Sequence, residues 1–297
     1  MNFSEQPVIF DCQGCRLVGV LSRPAQPAKV GVLILVGGPQ TRIGSHRQFA
    51  LLARALATAG IAALRFDFRG MGDSEGEQRD FAQRDDDIAA ATDAFFGACP
   101  GLQKLTLWGL CDAASAALLY WQRRRDSRLA GLALLNPWVR SDASLDQVLV
   151  RHYYRDRLFQ PDFWRKLLSG GIPLRRTLGE AFSRWRRTRA AESAPAPQPD
   201  DFRRGMATAL GSFPGSVLVI LSGADLTARE FADWAANMRW RERDELHWQE
   251  LADADHTFSS AEWRFRVEAL TCAWTQTLLE QPAPDSPPGR EGAKDAA

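Results

Sequence analysis

The sequence predicts an α/β fold in which a mostly parallel central sheet is flanked by helices and interrupted by a helical cap. Three observations predict it. Short apolar runs, such as G-V-L-I-L-V-G-G at 31–38, are typical of strands that are buried on both faces. Amphipathic helical segments alternate with these runs along the chain. Glycine-rich or reactive residues directly follow several strands, where a parallel sheet presents its functional loops.

Length, composition and charge exclude several classes of protein. With 297 residues, 45% of them hydrophobic, the chain is long enough for one large α/β core or a core with a small insertion. A formal net charge of +1 gives no reason to expect nucleic acid as a partner. No signal peptide and no membrane-spanning apolar run is recognisable. We therefore predict a soluble cytoplasmic protein.

The chain opens with a hairpin that leads into the first strand–helix unit. Residues 7–13 and 16–23 alternate between apolar and polar positions, as paired strands do. The buried strand at 31–38 follows them. Ser45 is placed to cap a helix that runs through Ala59 and carries its apolar residues on one face.

The next units continue the alternation of strand and helix. A strand at 61–68 leads into the glycine-rich loop D-F-R-G-M-G-D-S-E-G at 67–76. A helix is expected over 81–97, and an apolar run at 105–108 predicts the following strand. That strand stops at a glycine.

The second half of the chain completes the repeat. Buried strands are predicted at 129–137 and 216–223. A helix over 227–240, a strand over 244–251 and a final helix over 260–280 follow.

Two segments fall outside this pattern. Residues 140–205 hold amphipathic helical pieces with 14 Arg or Lys against 8 Asp or Glu, which predicts an inserted helical cap or lid. Residues 281–297 are rich in Pro, Gly and Ala and predict a disordered tail. The predicted core therefore comprises 1–139 and 206–280. The basic excess of the cap could meet an acidic substrate, a lipid head group or a partner protein, or it could be a solvated face.

A very tight turn joins the strand at 105–108 to the next helix. No residues remain for an ordinary loop between Gly109 and the Ala-rich helix that begins at Asp112. Such a turn holds its central residue at positive φ and requires small residues two positions before and after it. Gly109 and Ala113 meet that demand around Cys111. The pattern is a nucleophile elbow, G-x-S-x-G, with Cys111 in place of serine and Ala113 in place of the second glycine.

A nucleophilic thiol needs a base, and the base needs an acid that orients it. After such an elbow, the acid and then the histidine follow along the chain. His256, just beyond the last strand, is in the required place, and Asp225 directly follows the strand at 216–223. We predict Cys111, Asp225 and His256 as a triad, with Asp253 and Asp255 as rival acids. Taken singly, a cysteine is more often a small buried hydrophobe and an Asp after a strand a helix cap.

Acyl transfer also needs hydrogen-bond donors for an oxyanion. One predicted donor is the backbone N–H of Asp112 at the start of the elbow helix. The other must come from the loop after 31–38. Pro39 has no N–H, so Gly38 is the expected donor and Gln40 the fallback.

The five cysteines, at 12, 15, 99, 111 and 272, show no disulfide pattern. Cys12 and Cys15 form an isolated C-x-x-C. A zinc site would need a second Cys or His pair, so Gly14 favours a hairpin turn there. We predict no metal and no cofactor.

Three motifs carry a resemblance to known families. D-F-R-G-M-G-D-S-E-G at 67–76 resembles the D-x-R-G-x-G-x-S motif in esterase, acylglycerol-lipase and aminopeptidase-like branches of the α/β-hydrolase superfamily. V-G-G-P-Q at 36–40 is similar to the H-G-G-P-G loop of proline iminopeptidases. G-G-P-Q-T-R-I-G-S-H-R-Q-F, D-F-R-G-M-G-D-S and G-L-C-D-A-A-S-A together resemble the exosortase A system-associated hydrolases of the first type, over residues 8 to about 280. Asp67 and Arg69 are expected to brace the loop.

This resemblance implies an α/β-hydrolase fold and a gene neighbourhood concerned with exopolysaccharide production and the sorting of exported proteins. Together with the triad, it predicts a hydrolase or acyltransferase for a small ester or thioester. Gln40, Arg42 and His46, near the oxyanion loop, are candidate substrate-binding residues, or alternatively capping and surface groups. Components of an exopolysaccharide or exosortase system are possible partners. The alternative is a non-catalytic scaffold with this fold, in which Cys111 is a relic.

Overall fold

The computed structural model of the protein describes residues 3–140, 201–236 and 238–280. By its internal contacts the chain divides into two units, Met1–Val139 with Gly205–Ala297, and Arg140–Arg204. The predicted cap lies outside the described residues except for residue 140 and residues 201–205. The predicted tail at 281–297 lies outside them entirely. Both therefore stay predictions.

The described strands form one sheet in the order β1-β2-β4-β3-β5-β6-β7-β8. β1 and β2 pair antiparallel, as do β2 and β4, whereas the neighbours from β4 to β8 run parallel. The strands are β1 (Phe3–Cys12), β2 (Cys15–Pro24), β3 (Val30–Leu35), β4 (Ala62–Phe66), β5 (Lys104–Leu110), β6 (Leu129–Leu135), β7 (Ser216–Ser222) and β8 (Leu246–Leu251). The predicted mostly parallel sheet is confirmed.

Helices cover both faces of this sheet. Successive residues of a strand point to opposite faces, and on β5 the Trp108 ring meets Phe49 of the first helix whereas Gly109 faces the elbow helix. The helices are α1 (Gln48–Thr58), α2 (Asp85–Ala98), α3 (Asp112–Arg124), α4 (Asp201–Ser212), α5 (Leu226–Ala235) and α6 (Ala261–Glu280). None of these described helices is long and apolar enough to cross a membrane.

Three predicted helices begin or end differently in the structure. The helix expected over 81–97 is preceded by a 3-10 turn at Phe81–Gln83, and α2 itself begins at Asp85. Ser45 does not cap α1 with its side chain, because a 3-10 turn at Ser45–Arg47 precedes the helix. His46 and Arg47 there have positive φ angles of 52° and 62°, which no α-helix tolerates. The helix predicted over 227–240 ends at Ala235 and is followed by a 3-10 turn at Arg239–Glu242. That turn buries the Trp240 side chain against the Phe231 ring, with centroids 6.3 Å apart.

Candidate active site

The elbow places Cys111 between β5 and α3 in a strained conformation. Its backbone has φ 63° and ψ −126°, and its N–H donates to the Leu135 carbonyl oxygen at 2.8 Å. A Cβ on Gly109 would lie 2.6 Å from backbone atoms of Ala113, so glycine is required there. Strain of this kind persists where the surrounding structure over-determines it, and it is concentrated at functional sites. The turn holds the Cys111 side chain half-buried at the carboxyl end of the sheet.

The structure brings His256 and Asp225 together with Cys111. His256 Nδ1 lies 2.8 Å from Asp225 Oδ2, and the Cys111 thiol is near enough to act on the charge of the same imidazole. The hydrogen bond to Asp225 is the largest cause, and the interaction with Cys111 the next, of a His256 pKa that is raised to about 10 against the opposing effect of burial. The protonated imidazolium is therefore favoured between a carboxylate and a sulfur atom.

Asp225 also caps the following helix. Its carboxylate accepts the N–H groups of Thr227 at 3.3 Å and Ala228 at 3.1 Å, so the cap and the histidine contact coexist in one residue. The rival Asp255 points into its own turn. Burial raises the Asp255 pKa, but hydrogen bonds from Ser259 and Thr257 outweigh burial and leave the pKa lowered. Asp253 is exposed.

One of the two predicted oxyanion donors is occupied by a side chain. Gly38 N–H donates to Asp112 Oδ1 at 2.7 Å, and the backbone N–H groups of Asp112 itself and Ala113 lie near the same carboxylate. Burial raises the pKa of Asp112, against the opposing effects of Arg84 and these amides. A Cβ on Gly37 would come 2.3 Å from the Leu110 carbonyl oxygen and 2.7 Å from Asp112 Oδ1, which explains the first glycine of this loop.

A pocket opens beside these amides. It has a volume of about 470 Å³ and is lined by the oxyanion loop, the segment before α2 and the start of α3. Its lining residues are Gly38, Pro39, Gln78, Arg79, Asp80, Phe81, Arg84 and Asp112. The lining includes Gly38 and Asp112 but neither Cys111 nor His256, so the pocket adjoins the site on the side of the oxyanion loop.

A model of the alpha/beta hydrolase family matches residues 32–280, most of the chain. The chain belongs to the alpha/beta hydrolase family. It is thus a hydrolase with the fold that the sequence predicts. A search of curated proteins finds none that matches this chain.

Solved structures of several hydrolases resemble this one. Dienelactone hydrolase from Anabaena variabilis shares 16% identity and a TM-score of 0.60, with 93% of this chain and 99% of that chain covered. An esterase from Pyrococcus furiosus shares 14% identity and a TM-score of 0.62, with 93% and 91% covered. Est1E from Butyrivibrio proteoclasticus, solved with ferulic acid bound, shares 14% identity and a TM-score of 0.60, with 92% and 99% covered. At these identities the likeness shows the fold.

Two residues of this alpha/beta hydrolase brace the histidine loop and were missed by sequence reasoning. Asn136 Nδ2 donates to the His256 carbonyl oxygen at 3.0 Å and to Ser222 Oγ at 2.8 Å. Ser222 Oγ in turn donates to the Asp255 carbonyl oxygen at 2.8 Å. The available signal was Asn136 itself, a polar residue that directly follows the apolar strand β6 and has a left-handed φ of 43°.

The candidate substrate-binding residues lie in a loop that the hydrolase motif at 67–76 braces. Arg42 pairs with Asp67 and, at 2.6 Å, with Asp73, and its N–H donates to Asp67 Oδ1 at 2.6 Å. Gln40 Oε1 accepts the Ser45 N–H at 2.9 Å, and His46 is exposed. Arg42 and Gln40 therefore make contacts that hold the loop itself.

The Arg of the same motif pairs with a buried acid. Arg69 contacts Asp87, and both side chains are almost fully buried. Cys12 Sγ lies 3.5 Å from Asp87 Oδ1, and Cys12 and Cys15 are a facing pair across the hairpin turn. Among the described residues, no three His, Cys, Asp or Glu side chains are grouped so that they could hold a metal ion.

Proposed function

We propose that this hydrolase acts on a small ester or thioester through a Cys111–His256–Asp225 triad, by acyl hydrolysis or acyl transfer. The observation that carries the proposal is the 2.8 Å hydrogen bond between His256 and Asp225, on an imidazole whose pKa is raised further by its interaction with Cys111. Cys111 lies at a strained elbow, where a nucleophile is exposed next to a helix N-terminus. That arrangement serves nucleophilic catalysis.

The proposed reaction begins from a pair of thiolate and imidazolium. Because the His256 pKa is raised to about 10, the imidazole holds the proton and Cys111 attacks as the thiolate. Cys111 Sγ bonds to the acyl carbon, the bond to the leaving group breaks, and His256 gives its proton to that group. The Gly38 and Asp112 amides stabilise the oxyanion that forms in between.

Deacylation then returns the thiolate. His256, now neutral, takes a proton from water or from another acceptor as that molecule attacks the thioester. Thioesters react readily with amines and thiols, so a cysteine nucleophile favours transfer to a second substrate more than serine would. Transfer therefore stands beside hydrolysis in the proposal.

Three motifs support a finer assignment within the family. The segments around 37–49, 67–74 and 109–116 resemble exosortase A system-associated hydrolases. We therefore also propose a cytoplasmic role connected with exopolysaccharide production. Components of such a system are the proposed partners, and the basic residues of 140–205 are a candidate contact for them. Gln40, Arg42 and His46 stay candidate substrate contacts.

The proposal is tested by alkylation of the purified protein with iodoacetamide, followed by mass mapping of each cysteine. Burial raises the pKa of Cys12 to about 12 and of Cys272 to about 11, so both should react slowly. Half-buried Cys15 at the hairpin is the internal reference. We expect Cys111 to react about 10-fold or more faster than Cys15, and to lose that advantage in His256→Ala.

The alternative of a non-catalytic scaffold predicts the opposite result. Cys111 would then react no faster than Cys15, and His256→Ala would leave its rate unchanged.

Turnover of p-nitrophenyl acetate with and without an added amine distinguishes acyl hydrolysis from acyl transfer. Faster product release with amine, and acylated amine among the products, supports transfer, whereas equal rates leave hydrolysis alone.

A further inference from the structure

The side chain of Asp112 lies where an oxyanion should bind. Gly38 N–H, one of the two predicted oxyanion donors, donates to the Asp112 carboxylate at 2.7 Å. The backbone N–H of Asp112, the other predicted donor, lies near enough to the same carboxylate to favour its charged form. In the structure, the side chain of Asp112 therefore occupies at least the Gly38 donor that an acyl substrate needs.

A neighbouring cation pairs with the other oxygen of this carboxylate. Arg84 Nη1 is 3.9 Å from Asp112 Oδ2, and the Arg84 guanidinium is buried and held by the Val36 carbonyl oxygen at 3.2 Å. The pocket beyond Asp112 provides space for the side chain to turn away from the amides. The 18% exposure of the Asp112 side chain places it at the border between the amides and that pocket.

We propose that Asp112 is a gate on the oxyanion hole, whose carboxylate must leave the amides of Gly38 and Asp112 before Cys111 can be acylated. The inference rests on the proposed function and deepens it. The backbone N–H of Asp112 is an oxyanion donor, whereas its side-chain carboxylate blocks the oxyanion hole. A substrate that binds in the pocket would have to displace the carboxylate, so Asp112 also selects which acyl groups react.

Acylation and alkylation of the Cys111 sulfur together distinguish an effect on the oxyanion hole from an effect on the thiol. In acylation by p-nitrophenyl acetate, Cys111 Sγ bonds to the carbonyl carbon and p-nitrophenolate leaves with its electron pair, through an oxyanion. In alkylation by iodoacetamide, the sulfur displaces iodide and no oxyanion forms. Both rates depend equally on the fraction of Cys111 that is thiolate, so this fraction cancels in the ratio of the acylation rate to the alkylation rate. The ratio therefore measures how well the oxyanion hole stabilises the oxyanion.

We expect Asp112→Ala to raise this ratio by about 10-fold or more, because one free oxyanion donor is worth at least that much. Asp112→Asn should give a smaller rise, because its uncharged amide oxygen still accepts the Gly38 N–H but more weakly. The matched control is Glu77→Ala. Glu77 is an exposed acid just before the segment that lines the pocket and does not line it, so its loss removes a nearby charge without freeing the Gly38 amide. Its ratio should stay near that of the unmodified protein.

The pH dependence supplies a readout that a merely structural role would not move. Protonation neutralises the Asp112 carboxylate and weakens its hold on the amides, and burial raises the pKa of this group. The other charged groups at this pocket are Arg79, Asp80 and Arg84. The ratio should therefore rise as the pH falls in the unmodified protein and in Glu77→Ala, and it should be flat in Asp112→Ala.

Three results would overturn the gate. If the ratio is unchanged or lower in Asp112→Ala while alkylation of Cys111 stays fast, the side chain does not obstruct acylation. If Glu77→Ala raises the ratio as much as Asp112→Ala does, the effect is one of general charge. If Cys111 is alkylated no faster than Cys15 in any of these proteins, the proposed function has failed, and the gate with it.

Discussion

The imidazole of His256 is held by two partners whose effects on its charge add up. Asp225 binds Nδ1 at 2.8 Å and Cys111 also interacts with the ring, so protonation is favoured in the folded protein. In the unfolded chain a histidine titrates with a pKa of about 6.5. His256 therefore contributes stability that is fully present below that pH and is lost as the pH rises towards about 10.

This linkage predicts a residue-scale result for Asp225→Asn. Asparagine keeps the capping oxygen for α5 but removes the charge that does most to raise the His256 pKa. Because the His256 side chain is 36% exposed, solvent screening limits its effect. We expect the unmodified protein to lose about 1 kcal/mol of unfolding free energy from this group between pH 6.5 and 10, and Asp225→Asn to lose less than half of that.

Urea unfolding at several pH values measures the difference. The matched control is Asp233→Asn, which removes an exposed acid from the same helix and should leave the pH dependence intact. Equal pH dependence in Asp225→Asn and Asp233→Asn would contradict the assignment of Asp225 as the partner that sets the charge of His256.

Among the elements, the β5–α3 elbow depends on the absence of a side chain at Gly109. Its α-hydrogen faces the backbone of α3, where a Cβ would lie 2.6 Å from atoms of Ala113 and Ala114. Gly109→Ala should therefore push α3 away from β5 and move Cys111 with it. We expect a loss of about 1–3 kcal/mol in unfolding free energy, as for other overpacked sites, together with slower alkylation of Cys111.

Gly97→Ala is the matched control for this element-scale prediction. Gly97 lies inside α2 with no atom within 4 Å of the added Cβ, so the substitution should stabilise the protein by about 0.5–1 kcal/mol. Thermal and urea unfolding of Gly109→Ala and Gly97→Ala, together with the alkylation rate of Cys111 in each, test these predictions. A Gly109→Ala protein that is as stable and as reactive as the unmodified one would show that α3 has room for the Cβ.

For the molecule as a whole, the parallel sheet brings together residues that are far apart in the sequence. β3, β5 and β7 end at one edge of the sheet and are followed by Gly38, Cys111 and Asp225, and His256 follows β8. That convergence is a consequence of parallel pairing and right-handed crossovers, so strand ends read from apolar runs were enough to predict it. The tightness of the elbow likewise predicted the small residues Gly109 and Ala113 on either side of Cys111.

Other features could not be predicted, because they depend on the packing of particular side chains. The contact between Asp112 and the Gly38 amide is a choice of rotamer at the start of α3. The Asn136 bridge to the His256 carbonyl oxygen joins residues 120 positions apart. The end of α5 was misplaced because burial of Trp240 outweighs local helix propensity. Local patterns carry no information about such contacts.

The most direct test of the central claim is to trap the acyl-enzyme. The protein is mixed with p-nitrophenyl acetate, quenched with acid within the first turnover and digested for peptide mapping. The account predicts one acetyl group on Cys111, released by hydroxylamine as a thioester is, and far less adduct in His256→Ala. Continued turnover with no acetyl group on Cys111, or with the acetyl group on another residue, would contradict it.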